Sequence, residues 1–178
     1  MTSFIINSLT VIILGIVQVS FLTTWSRPVN SLNLILSLII FLVAINRYRQ
    51  GLWWAFGAGC FLELYSFDFF GLTTLALIIT VVIVNFLFNN FFTNYSFYSL
   101  TISGLMGTLI YNLLIFLVDE LFILLGIATQ GIVSAALFFQ NLIWQTVLNL
   151  MILYLIFFIF HFLIGKFKMD LSRQIPIE

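Results

Sequence analysis

Apolar runs of membrane-spanning length, separated only by short clusters of Arg, Asn, Gly or acidic residues, fill almost the whole of this 178-residue chain. A helix needs roughly 20 apolar residues to cross a bilayer core. Lipid offers backbone polar groups no partner, so runs of this kind fold as packed helices. With 63% hydrophobic and 7% charged residues, too little polar surface remains to clothe a soluble domain. The fold class read from this pattern is an all-α integral membrane protein, one polytopic domain over 1–178 with about six transmembrane helices. Spans are expected at 4–24, 32–45, 52–65, 72–88, 98–118 and 141–165, the second and third short enough to lie partly among the others.

The run from Phe4 to Thr24 has no basic residue before it and no small-x-small cleavage site before Arg27-Pro28. It is therefore expected to stay as the first helix. Cations set the orientation: Arg47 and Arg49 lie between the second and third runs, Lys166, Lys168 and Arg173 follow the last, and Arg27 alone has the opposite parity. With six spans both termini are expected in the cytoplasm. The apolar stretch from Leu121 to Phe139 is almost long enough to cross, but a seventh span would carry the basic tail outside. An outer hairpin or interfacial segment is expected there, covering Asp119 and Glu120.

Residues 51–72 concentrate the candidate site. In a helix Gly51, Ala55, Gly59 and Glu63 share one face at four-residue steps, so an acid ends a stripe smooth enough for another helix to approach closely. Helix rise puts Glu63 roughly 18 Å from the cytoplasmic side, with Asn112 at about 21 Å and Asn149 at about 24 Å. Asn141, Gln145 and Asn149 align on the last helix, and Gly104, Thr108 and Asn112 on the fifth. The polar faces of helices 3, 5 and 6 are therefore expected to converge in the outer half. Two readings compete. One is interhelical glue, each hydrogen bond contributing about 0.6 to 2 kcal/mol. The other is an outward-opening polar pocket or partner groove with Glu63 near its floor, because an acid at mid-helix costs about 2.5 to 3.5 kcal/mol. Its residues would be Glu63, Ser66, Asp68, Asn112, Gln145 and Asn149, with helix packing through Gly51, Ala55, Gly57, Gly59, Gly71, Gly104 and Gly107.

Cys60 is read as a small packing residue, His161 as an interfacial ring, and Trp25, Trp53 and Trp54 as headgroup-level anchors. Enzyme chemistry lacks its parts: one histidine cannot build a two-histidine metalloprotease helix, no G-x-S-x-G occurs, and only one acid lies deep. No catalytic residue, metal or cofactor is expected, and zero net charge gives nucleic acid nothing to bind. The lipid bilayer is the one partner that composition implies.

The spacing G-x3-A-x3-G-x3-E-x2-S-x4-G through Gly51, Ala55, Gly59, Glu63, Ser66 and Gly71, followed by Leu72-Thr73-Thr74-Leu75-Ala76-Leu77, resembles the central signature of the rod shape-determining MreD family. Gln18 followed by Ser20, Arg27-Pro28 and the Arg47 to Gly51 turn agree, and the resemblance covers about residues 10 to 85. The family usually has Asp where this chain has Glu63. The resemblance implies a non-enzymatic scaffold of the bacterial inner membrane, in the cell-elongation machinery that directs peptidoglycan synthesis. Its partners would be MreC, a single-span coiled-coil protein, and, directly or indirectly, MreB filaments and peptidoglycan synthases. The implied fold is similar to the six-helix substrate-binding S components of energy-coupling-factor vitamin transporters. An S component is accordingly the rival reading, although those proteins typically dock through an alanine-x3-alanine patch on helix 1 and Phe4 to Thr24 contains no alanine. For a scaffold, the MreC span is expected against the face bearing Gly57 and Gly59 or the Gly104 to Thr108 face of helix 5.

Overall fold

The computed structural model describes residues 2–22, 24–66, 70–91, 97–126 and 135–173, and these are all-helical. Helix α1 (Thr2–Val17) runs into a π-turn, Gln18–Leu22, and a 3-10 turn at Val29–Ser31 precedes α2 (Leu34–Ala44). Then follow α3 (Tyr48–Glu63), α4 (Leu72–Phe91), α5 (Phe97–Leu124) and α6 (Ala135–Arg173). Among the described residues, three helical segments, Leu72–Asn90, Phe97–Leu124 and Phe138–Phe162, are long and apolar enough to cross a membrane. Within the 119–140 stretch, α5 continues to Leu124 and α6 begins at Ala135; residues 127–134 lie outside the described residues.

The shortest helix is the centre of the packing. Helix α2 is apolar but for Ser37, as a largely enclosed helix has to be, and Ile35, Leu36, Ile39, Ile40, Phe41 and Val43 are all buried. It packs against α3, α4, α5 and α6. Asn33 starts it by accepting the Leu36 amide on its side chain at 3.0 Å, the usual device for an orphan N–H in the first turn. Asn46, at φ 61°, ends it in the left-handed conformation. The Arg47 amide reaches Leu42 O and the Asn46 amide reaches Val43 O, the paired bonds of a Schellman cap, and the chain turns directly into α3.

Around this core the usual distribution of polarity is reversed. Leu105, Leu109, Leu113, Leu117 and Leu121 form a continuous exposed stripe along α5, and Ile143, Val147, Met151 and Leu155 form another along α6. Ser37, Thr80, Ser103, Thr108 and Asn149 are fully buried. An apolar exterior of this extent is a surface for lipid rather than water, and it places the protein among helical membrane proteins.

Candidate functional site

The polar interior is built around the start of α2. At Gln18 the α1 helix loosens into its π-turn, and the side chain reaches the extended backbone ahead of α2. Gln18 Nε2 donates to Leu32 O at 2.8 Å and Gln18 Oε1 accepts the Leu34 amide at 2.9 Å, so one carboxamide satisfies the backbone on both sides of Asn33. The Asn33 amide itself donates to Asn149 Oδ1 of α6 at 3.0 Å. Asn149 Nδ2 in turn donates to Thr108 Oγ1 of α5 at 3.4 Å, and Ser37 Oγ donates to Asn33 O at 3.1 Å. Four helices are thereby tied together through a connecting segment whose backbone groups would otherwise be buried without partners.

Directly beside this network lies a cavity of about 450 Å³. Its inner wall carries Gln18, Asn33, Asn112, Asn141 and Gln145, with Tyr111, Ile115, Phe116 and Phe138 as apolar surface, and Arg27, Asp119 and Glu120 stand among its lining. Asn112 uses one amide N–H on Thr108 O of its own helix at 2.8 Å. Gln145 is 8% exposed and lines the cavity, yet its amide has no hydrogen-bond partner among the described residues. Asn141, one turn away on α6, presents a second such carboxamide. The arrangement offers donors and acceptors together and has the size of a ligand pocket, about 300 to 1,000 Å³ in general.

Glu63 does not belong to this cavity, contrary to the convergence expected of helices 3, 5 and 6. Helix α3 packs on α4, α2 and α1, so the polar groups of α5 and α6 meet α2 instead. Glu63 Oε1 accepts the Thr74 amide at 2.8 Å, in the first turn of α4. A carboxylate there satisfies an orphan donor and lies at the positive end of the helix dipole. Its Oε2 and Ser66 Oγ are buried without hydrogen-bond partners among the described residues, and neither residue lines the cavity. Asp68 lies outside the described residues.

The small residues sort by what they touch. A Cβ on Gly59 would stand 2.6 Å from Thr74 Cα, so α3 and α4 are in backbone contact there; Thr74 Oγ1 also donates to Cys60 Sγ at 3.9 Å. Ala55 is fully buried and Gly51 rests on Val43 at ordinary distance. On α5, Gly107 faces Ile40 and Gly104 faces Leu150 and Leu153. Gly71 is not a packing residue: a Cβ added to it would meet nothing within 4 Å, and its φ of 99° serves the turn into α4. Gly57 has only Val11 near it, at 3.6 Å, and opens into a groove of about 540 Å³ between α1 and α3, lined by Val11, Ile12, Trp53, Phe56 and Phe61.

Sequence reasoning identified Asn112, Gln145 and Asn149 but passed over Asn33, Tyr111 and Gly15, the last packed against the Phe61 ring. Asn immediately before an apolar run is a helix-start signal that marks Asn33. Nothing in the local sequence marks the other two. Comparison with protein-family models, with curated proteins and with solved structures finds no match to this chain.

Proposed function

We propose that this chain is a non-enzymatic, multi-pass scaffold of the bacterial cytoplasmic membrane, of the MreD type, which holds the transmembrane span of an MreC-like protein. Through that partner it helps position or regulate peptidoglycan synthesis alongside MreB filaments. All six helices then cross or enter the bilayer, with Arg47 and Arg49 in the cytoplasm and the polar cavity opening outward.

The observation that carries this reading is the open groove at Gly57. Of the glycines expected to pack on α3, Gly51 and Gly59 are occupied by α2 and α4, whereas Gly57 faces a groove that no helix fills among the described residues. Its walls are apolar, Arg49 and the Gln50–Asn7 hydrogen bond lie at one end, and Phe61 lies at the other. From Arg49 to Phe61 the groove follows α3 for roughly 18 Å, more than half a bilayer core. Lipid supplies no hydrophobic drive between helices, so a partner span is held by close approach, which a glycine floor permits. Gly59 and Gly104, the other faces expected to meet the partner, are already buried against Thr74 and Leu150.

The test is co-purification of the full chain with the single-span, coiled-coil protein encoded beside it. Gly57→Leu should lose the complex while keeping the wild-type unfolding temperature, and Leu113→Ile on the exposed α5 stripe should change neither. Unaltered recovery with Gly57→Leu would overturn the groove, and a neighbouring transporter ATPase in place of the coiled-coil protein would overturn the scaffold. The cavity beside Gln145 favours a second reading, a substrate-binding subunit similar to a vitamin-transporter S component. Co-purification with such an ATPase would support it.

A further inference from the structure

We infer that the groove between α3 and α4 beneath Arg49 seats one anionic phospholipid, its phosphate against the Arg49 guanidinium and an acyl chain along the apolar wall below. This is separate from the scaffold reading and does not depend on it; it needs only that the α2–α3 corner meets a membrane surface.

The groove, of about 440 Å³, is lined by Arg49, Leu52, Trp53, Phe56 and Ile78. Along α3 these residues recur at steps of three and four, so one helix face carries a cation at its head and apolar side chains beneath it. From Arg49 to Phe56 that face runs for roughly 10 Å. Trp53 and Phe56 are exposed, while Leu52 and Ile78 are half-buried and make the floor. Trp53 stands one turn from the cation, where an indole ring favours the headgroup region. Arg49, Trp53 and Phe56 border the Gly57 groove as well, but Leu52 and Ile78 belong to this one alone.

Charge selects the occupant. The Arg49 side chain is exposed with no ion-pair partner among the described residues, and Arg47, also exposed, stands two residues before it. Helices α1 to α4 carry a single acid, Glu63, at the far end of α3. It lies roughly 21 Å along the helix from Arg49, beyond the reach of an unscreened surface charge. A phosphodiester supplies the missing negative charge, and a guanidinium can grip it through two parallel N–H···O bonds. A zwitterionic choline lipid would bring its own cation to the same arginines. The lining also decides against other occupants: a soluble anion gains nothing from four apolar side chains, and a partner helix needs small residues for close approach, which this groove lacks. Basic clefts between membrane helices suit acidic headgroups for these reasons.

The experiment is native mass spectrometry of the full chain released from neutral detergent micelles, after titration with phosphatidylglycerol or with phosphatidylcholine of the same acyl chains. One phosphatidylglycerol should be retained per chain at concentrations where phosphatidylcholine is not. Arg49→Gln should lower that retention about fivefold, the contribution of one arginine at a membrane surface, and Arg49→Lys should lower it less. Both change an exposed residue and should keep the wild-type unfolding temperature. Ile78→Trp, which fills this groove alone, should lose the lipid, and Gly57→Leu, which fills the other, should keep it even if no protein partner is ever recovered. Equal retention of the two lipids, full retention by Arg49→Gln, loss in Gly57→Leu, or displacement of phosphatidylglycerol by excess inorganic phosphate would overturn the assignment.

Discussion

The backbone amide of Asn33 donates to the side-chain oxygen of Asn149 at 3.0 Å, joining positions 116 residues apart in the chain. That bond ties the start of α2 to α6 beside the cavity that Asn33 lines.

Replacing Asn149 by Leu removes the acceptor for Asn33 and the donor to Thr108 while keeping the volume close. The Asn33 amide is then left buried and unpaired, which costs about 1 to 3 kcal/mol. Thermal unfolding in detergent should show a lower midpoint, whereas Asn112→Leu, whose bond stays within α5, should shift it less.

Gln18 is expected to act through two separable bonds. Gln18→Glu keeps an acceptor for the Leu34 amide and loses the donor to Leu32 O; Gln18→Leu loses both. Hydrogen exchange at the Leu34 amide should therefore accelerate strongly in Gln18→Leu and less in Gln18→Glu. Equal rates in the two variants would show that the side chain does not hold this backbone.

At the α3–α4 corner the bond to Thr74 needs an oxygen, not a charge. Glu63→Gln should keep the bond and lose only the charge–dipole attraction, about 0.3 to 1 kcal/mol, and Glu63→Ala should lose about 0.5 to 2 kcal/mol more, the usual cost of a missing cap. The comparison is made by unfolding both variants in the same detergent. Under the scaffold function proposed above, a Glu63→Gln variant that folds but no longer co-purifies with the single-span partner would give the carboxylate a role beyond the cap.

Gly59 and Gly104 should differ in tolerance although both are buried. An added Cβ at Gly59 meets backbone, Thr74 Cα at 2.6 Å, while at Gly104 it meets the ends of Leu150 and Leu153 at 2.8 and 3.0 Å. Side-chain tips move aside more cheaply than a helix backbone, and overpacking typically costs about 1 to 3 kcal/mol. Gly59→Ala should be the more destabilising of the two in a thermal melt.

The helical class was legible in the sequence because span-length apolar runs leave no other way to satisfy a backbone in lipid. Asn112, Gln145 and Asn149 were legible as unusual residues for the same reason: polar groups inside apolar helices stand out. Helix faces were legible too, since a four-residue step places Gly51, Ala55, Gly59 and Glu63 in line whatever surrounds them. Periodicity does not say which helix meets which face. That was decided only by tertiary packing, which set the short α2, apolar but for Ser37, at the centre. With α2 there, the Asn149 amide of α6 turns to its start and the Glu63 carboxylate turns to the start of α4. In both places the deciding physical fact is a buried backbone N–H that finds its acceptor on a neighbouring helix, Asn33 on Asn149 and Thr74 on Glu63.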